Sequence, residues 1–147
     1  MIYIDTSCLL KLFRPEPLSA AVRSAVAAES TVVVSALAEL EAQIQLRAAW
    51  KAGDFTRPQW RRLEVLLARL RHQVPFEFRP LGRGLFDTAF RQHRQAGNLH
   101  CRTLDRLHLA AMEELDVDRL MTHDRQQASA ATAIGFLVVQ PGQTPAS

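Results

Sequence analysis

Two acidic side chains stand at the ends of apolar runs, where α/β proteins often bind their ligands. Asp5 ends the run IYID, and Asp124 closely follows the run DRLMT at 118–122. Both runs read as short strands, and open α/β sheets bind ligands beyond the carboxyl ends of strands, near the point where strand order reverses. If these strands are neighbours, the two carboxylates converge at one edge. Each aspartate alone is more typical of a helix N-cap.

A third candidate lies on the helix predicted over 36–51. Glu41 shares a stripe of that helix with three apolar residues, Leu37, Ile44 and Ala48. Glu39 lies on the opposite side, as expected for a solvated side chain. A carboxylate on a core-facing stripe is costly unless it is paired, protonated or bound to a cation. Two partners of Glu41 therefore remain possible, a metal ion or the guanidinium of an arginine in a buried salt bridge.

Asp105 raises the same question on the helix predicted over 102–115. The residues on its own side of the helix are His108, Leu109 and Met112. The predicted outward face carries Arg102, Arg106 and Glu113. The alternative interpretation of Asp105 is a first-turn charge that complements the helix dipole.

The sequence indicates no buried cluster of basic side chains that could pair with these four carboxylates. This predicts that they bind a cation that is not part of the chain. Oxygen ligands select a hard ion such as Mg²⁺ or Mn²⁺. No His or Cys spacing typical of zinc is present, and the two cysteines, Cys8 and Cys101, are far apart. This cysteine usage predicts a reducing, cytoplasmic setting and no disulfide framework.

The composition predicts one ordinary globular domain. The chain has 147 residues, of which 48% are hydrophobic and 22% charged, which excludes a disordered chain. No apolar run approaches the length of a membrane helix, and the N-terminus lacks the basic region of a signal peptide. The net charge is +3, and basic residues are concentrated at 43–83. That segment indicates either an anionic partner or a solvated helix face.

Short apolar strands alternate with helical patterns along the chain. Strands are predicted at 2–5, 31–34, 74–78, 118–122 and 136–139. The longer helices are predicted at 18–28, 36–51, 82–96, 102–115 and 124–133, and Thr56 and Pro58 open another that runs through 60–71. This order predicts a three-layer α/β/α domain over 1–141, with a central, mainly parallel sheet of four to five strands. A polar C-terminal tail is predicted at 142–147.

Four blocks of the sequence resemble PIN-domain proteins, and more narrowly the VapC-type toxins of toxin–antitoxin pairs. The blocks are MIYIDTSCLLKLF with PEP, VVVSALAELE, LDRLHLAA and LMTHD, and they stand in the family's order. The resemblance implies a ribonuclease that depends on Mg²⁺ or Mn²⁺ and hydrolyses RNA with a metal-activated water. It assigns the catalytic, metal-binding positions to Asp5, Glu41, Asp105 and Asp124. The supporting candidates beside them are Thr6, Ser7 and Thr122.

The resemblance also implies an RNA substrate, a small cognate antitoxin and a homodimer, with helices over 36–70 as contact candidates. No membrane partner is expected. The sequence departs from the family at Arg106, where members often have a small residue, and this cation is expected to face solvent. It departs again at His123, where related chains often carry an apolar residue.

Two other functions compete with this interpretation. A non-catalytic PIN-fold module would bind RNA or a protein without using a metal ion. A phosphatase with a nucleophilic aspartate would fit Asp5, but Ser7 stands where the second aspartate of a D-x-D pair belongs.

Overall fold

A five-stranded parallel sheet forms the centre of the computed structural model, which describes residues 1–97 and 100–143. The strands are β1 (Ile2–Ile4), β2 (Val32–Ser35), β3 (Phe76–Arg79), β4 (Arg119–Met121) and β5 (Leu137–Val139). Their order in the sheet is β3-β2-β1-β4-β5. The next strand after β1, β2, therefore pairs on one side of β1, and β4 pairs on its other side. This is a topological switch point between β1 and β4.

Alternate residues of the central strands point to opposite faces, and each face carries its own hydrophobic core. Ile2 and Ile4 pack in one core with side chains of the first four helices. Tyr3 lies in the other core, with side chains of the last three helices. Because both faces are covered, the two central strands β1 and β2 are buried along their whole length, as expected for a parallel sheet. The predicted three-layer α/β/α class is confirmed.

Seven α-helices cover the sheet in the described part of the chain. They are α1 (Thr6–Lys11), α2 (Ser19–Ala27), α3 (Ala36–Ala52), α4 (Arg57–Arg69), α5 (Leu85–Gln95), α6 (Thr103–Glu114) and α7 (Arg125–Ala133). The Ser35 hydroxyl caps α3 by accepting the amide of Ala38 at 3.1 Å. Gly53 ends α3 with a φ of +90°, a left-handed conformation that glycine adopts without steric cost.

The predicted elements agree with the observed ones to within about three residues. The largest shifts are at β3, which begins two residues later than expected, and at α5, which begins at Leu85 rather than at 82. The division into a domain at 1–141 and a tail stays a prediction, since the tail residues 144–147 lie outside the described residues. Within the described ranges, no helix is both long and apolar enough to span a bilayer.

Candidate active site

The carboxyl ends of β1 and β4 meet at the switch point and bring Asp5 beside the segment that begins at Thr122. The amide of Asp5 donates to the carbonyl of Met121 at 3.1 Å, which continues the pairing of β1 with β4. The Thr122 hydroxyl donates to Asp5 Oδ2 at 2.6 Å. The expected meeting of the two strand ends is therefore present.

Asp5 is buried and surrounded by neutral donors. Its Oδ1 accepts the Cys8 amide at 3.0 Å and the Ser7 hydroxyl at 2.8 Å. The pKa of Asp5 is raised because burial disfavours the charged carboxylate, and the hydrogen bonds from Thr122, Cys8 and Ser7 oppose this only partly. Asp5 thus caps α1, as the alternative interpretation held, and also presents a desolvated carboxylate at the end of the sheet.

Glu41 approaches the same region from α3. Its Oε2 accepts the Thr6 hydroxyl at 2.9 Å and contacts Nε2 of His108, which lies on α6. Burial acts to raise the pKa of Glu41, but the contacts from His108, Thr6 and the charge of Arg102 outweigh it, so the net pKa is lowered. The lowered pKa favours the charged form of Glu41 at neutral pH.

His108 is held by a buried chain of hydroxyl groups. Its Nδ1 lies 2.6 Å from the Tyr3 hydroxyl, which lies 2.6 Å from Oγ of Ser35. Ser35 Oγ already accepts the Ala38 amide, so it has its own proton free to donate. Every member of this chain has a partner when Ser35 donates to Tyr3, Tyr3 donates to Nδ1, and Nε2–H donates to Glu41. Burial raises the pKa of Tyr3, which keeps it a donor.

Arg102 joins the remaining two carboxylates. Its Nε donates to Asp105 Oδ2 at 2.8 Å, and its Nη2 donates to Asp105 Oδ1 at 3.2 Å and also contacts Asp124 Oδ2. Two of the four acids therefore have a protein cation as partner, although Arg102 is a single, largely exposed arginine and not the buried cluster whose absence the sequence indicated. The prediction that Arg102 faces outward is right for most of its side chain, which is 59% exposed, but its guanidinium turns back onto the acidic pair.

The predicted core-facing stripe of α3 that contains Glu41 is wrong in detail. The buried stripe of α3 is formed by Ala38, Ala42, Leu46 and Ala49. Ile44 is 58% exposed, and Glu41 lies at the margin of the buried stripe, half-buried against α6. Glu39 is not a solvated side chain either, because it pairs with Arg71. The two glutamates thus have different partners on different sides of α3.

Several further residues have structural contacts. Cys8 is fully buried in the core. Trp50 and Trp60 stack with ring centroids 4.3 Å apart and thereby join α3 to α4. Nε2 of His123 lies 2.8 Å from the carbonyl oxygen of Pro141, and the His123 amide donates to Ser7 Oγ at 3.0 Å. Asp124 caps α7 by accepting the amides of Gln126 and Gln127.

The donor set fits a hard divalent cation by its chemistry, and only in part by its arrangement. All four acidic side chains offer oxygen, and Asp5 has a desolvated carboxylate with no cationic partner among the described residues. Within those residues, however, no three His, Cys, Asp or Glu side chains converge closely enough to hold a metal. Arg102 meanwhile holds Asp105 and Asp124.

Three contributors to this region were missed in the sequence. Arg102 stands one helical turn before Asp105, a spacing at which opposite charges meet, and that spacing was available as a signal. Tyr3 lies between two isoleucines of a strand buried on both faces, where a phenol needs a hydrogen-bond partner. The role of Ser35 beyond its cap had no sequence signal, because it depends on the pairing of β1 with β2.

Comparison with known proteins identifies relatives over nearly the whole chain. The PIN domain family model matches residues 2–133. Ribonuclease VapC46 of Mycobacterium tuberculosis is 34% identical over 142 residues, which cover 95% of this chain and 97% of the relative.

Solved structures share the fold at lower identity. The Mycobacterium tuberculosis protein VapC20, described as a Sarcin-Ricin loop cleaving toxin, matches with a TM-score of 0.72 at 17% identity, covering 96% of this chain and 100% of its own. FitAcB from Neisseria gonorrhoeae matches with a TM-score of 0.69 at 16% identity, covering 96% and 98%. These similarities establish a common architecture.

Proposed function

The chain belongs to the PIN-domain family and is a homologue of the VapC ribonucleases, and on that premise we propose that it is a Mg²⁺- or Mn²⁺-dependent endoribonuclease, the toxin of a toxin–antitoxin pair. One observation carries the proposal. Acidic side chains from four separate parts of the sequence lie around the carboxyl ends of β1 and β4: Thr122 donates to Asp5, Thr6 donates to Glu41, and Arg102 joins Asp105 to Asp124. A cluster of negative charge next to an RNA phosphate is useful only when a cation is present.

Asp5, Glu41, Asp105 and Asp124 would hold the ion. When bound, a divalent ion lowers the pKa of a coordinated water and neutralises charge on phosphoryl oxygens. The neutral groups around the acids fix their orientation: Ser7 and Thr122 hold Asp5, and Thr6 and His108 hold Glu41. Hydroxyl and imidazole donors of this kind position metal ligands in many enzymes.

Arg102 has to release the acidic pair before Asp105 and Asp124 can act together on a cation. Its side chain is 59% exposed, so it can turn into solvent at small cost. Once displaced, the same guanidinium stands beside the site and can bind a phosphate of the RNA backbone. Arg102 is thus the counter-ion of the metal-free site.

The partners expected from the family are part of the proposal. A small antitoxin would bind beside the acidic region, and the protein would form a homodimer. Exposed apolar side chains on α3 and α4 support these contacts: Leu40, Ile44, Val65 and Leu66. A cytoplasmic location is also part of the proposal, as the cysteine usage of the sequence predicts.

Asp5→Asn tests the enzymatic proposal. The variant retains an oxygen that can accept the Cys8 amide, so the fold is expected to survive, but it loses a charged ligand. We expect Mg²⁺-dependent cleavage of RNA to fall by at least about 10³-fold. A gel assay of a mixed RNA substrate, with circular dichroism to check the fold, measures this. Cleavage at the wild-type rate would contradict the role of Asp5.

A non-catalytic RNA-binding module is the second candidate, and the closure of the acidic pair by Arg102 favours it. Chelation separates the two functions. A binding module keeps its RNA affinity in EDTA and cleaves nothing, whereas the proposed nuclease loses its activity in EDTA and regains it with Mn²⁺.

A further inference from the structure

A cavity of about 300 Å³ lies between α5 and the start of α6. Phe86, Phe90 and His93 line it from one side, and Cys101, Thr103 and Arg106 line it from the other. The two phenylalanines are each 59% exposed, and both line the same cavity. The cavity therefore has aromatic walls and one arginine side chain.

Arg106 is the unusual feature of this cavity. The expectation that it faces solvent is wrong, because only 6% of the residue is exposed. Among the described residues, neither its Nε nor its Nη1 has a hydrogen-bond partner. A buried guanidinium with unpaired donors costs free energy, and such a group is a candidate for binding an anion that completes its hydrogen bonds.

The backbone near Arg106 also favours an anion. α6 begins at Thr103, and its N-cap residue, Arg102, makes no side-chain hydrogen bond to the first-turn amides. The positive end of the helix dipole and its free N–H groups attract negative charge. Arg106 adds a full charge to this end of the helix.

The cavity adjoins the acidic site. Cys101 and Thr103 line the cavity, and Arg102, which stands between them in sequence, holds Asp105 and Asp124. Arg106 itself directly follows Asp105 on α6. The same turn of α6 therefore contributes the Asp105 carboxylate to the acidic region and the Arg106 guanidinium to the cavity.

We propose that this cavity binds a nucleotide next to the cleaved bond of a single-stranded RNA, with Arg106 on its phosphate and Phe86 or Phe90 against its base. The inference rests on the proposed nuclease function. Aromatic side chains beside a cationic groove are typical of single-strand binding, since every base has a face that can stack. Arg106 is then a binding and positioning residue, and it takes no part in the chemical step.

The test measures RNA binding and cleavage separately. The Asp5→Asn protein, which is expected not to cleave, is compared with the double variant Asp5→Asn/Arg106→Gln by fluorescence anisotropy of a short mixed-sequence single-stranded RNA. We expect affinity to fall about tenfold. The slope of log affinity against log salt should decrease by about 0.7, as for one lost phosphate contact on a single strand. In the otherwise wild-type protein, Arg106→Gln should raise KM and leave kcat nearly unchanged.

Three further variants complete the design. Arg91→Gln is the matched control, because Arg91 is an arginine of α5 that pairs with Glu113 outside the cavity, and its loss should change neither quantity. Phe90→Ala should weaken binding without changing the salt slope. Arg106→Lys should retain most of the slope. The melting temperature of Arg106→Gln should not fall, because an unpaired buried charge has been removed.

Unchanged RNA affinity and salt slope in both the Arg106→Gln and the Phe90→Ala proteins would overturn the inference. A change in oligomeric state without a change in RNA binding would also overturn it and assign the cavity to a protein interface. If the wild-type protein cleaves no RNA with Mg²⁺ or Mn²⁺, the proposed function fails, and the anisotropy comparison still decides whether the cavity binds RNA.

Discussion

Asp5 and Glu41 are held by neutral donors on buried elements, whereas Asp105 and Asp124 are held together by one largely exposed arginine. We call the first two the hydroxyl-held pair, since Ser7, Thr122 and Thr6 donate to them. The other two are the arginine-held pair. Neutral donors orient a carboxylate without cancelling its charge. An arginine cancels it and must leave before a metal ion can bind.

The difference indicates how the four acids can be accommodated in the metal-free protein. Like charges in one region repel each other, and Arg102 relieves this for Asp105 and Asp124, although exposed ion pairs contribute little to stability. The hydroxyl-held pair has buried donors in Thr6 and Thr122, whereas the partner of the arginine-held pair is a largely exposed side chain.

The first prediction distinguishes two glutamates of one helix. Glu41→Gln removes a charge from the hydroxyl-held pair, and we expect RNA cleavage to fall by about 10²- to 10³-fold. Glu39→Gln is the matched control, because Glu39 pairs with Arg71 and, within the described residues, shares no ion-pair partner with the four acids. Its cleavage rate should stay within about twofold of wild type. Equal losses in the two variants would mean that α3 is oriented differently toward the site than we propose.

The second prediction concerns the arginine-held pair. Arg102→Gln removes the cation that competes with a metal ion, so we expect the affinity for Mn²⁺ in the absence of RNA to rise by up to about tenfold. Isothermal titration calorimetry measures this, with Arg91→Gln as a control. Weaker Mn²⁺ binding in the Arg102→Gln protein would show that Arg102 supports the metal site and does not compete with it.

The third prediction tests the support behind the hydroxyl-held pair. Tyr3→Phe removes the hydroxyl between His108 and Ser35 and leaves Nδ1 of His108 unpaired in the core. The free energy of unfolding should fall by about 1–3 kcal/mol, the cost of a buried unsatisfied polar group. Urea denaturation followed by circular dichroism measures it. A variant as stable as wild type would mean that this hydrogen-bonded chain does not stabilise the fold.

The smallest expected effect is a pH dependence of stability from Asp5. Its pKa is raised in the folded state, chiefly by burial, so the folded protein holds this proton to a higher pH than the unfolded chain does. Stability is therefore lost as pH rises from the ordinary aspartate pKa through the raised folded value. In EDTA, the Asp5→Asn protein should escape this loss.

We thus expect the melting temperature of Asp5→Asn minus that of the wild type to be larger at neutral pH than at acidic pH. Asp54→Asn, at an exposed position outside the site, is the control. A difference that stays constant with pH would show that Asp5 ionises as freely in the folded protein as in the unfolded chain.

The sheet and its strand-end aspartate were predictable because they depend on local pattern. The runs IYID and VVVS can satisfy a parallel sheet buried on both faces, and a carboxylate after such a run has a known place at the sheet edge. Glu41 was identified by an incorrect stripe, because α3 is covered by α4 and α6 along a line that only tertiary packing decides. Arg106 was misplaced for the same reason, since its burial depends on how α5 packs against α6.

Binding of Mn²⁺ to the protein without RNA tests the central claim most directly, because it depends on the acids alone. Electron paramagnetic resonance can count bound Mn²⁺ in the wild-type, Asp5→Asn and Glu39→Gln proteins. If acids from four elements hold one site, the wild-type and Glu39→Gln proteins should bind Mn²⁺ with equal affinity, and the Asp5→Asn protein should lose that binding. Equal Mn²⁺ binding by all three proteins would contradict the account.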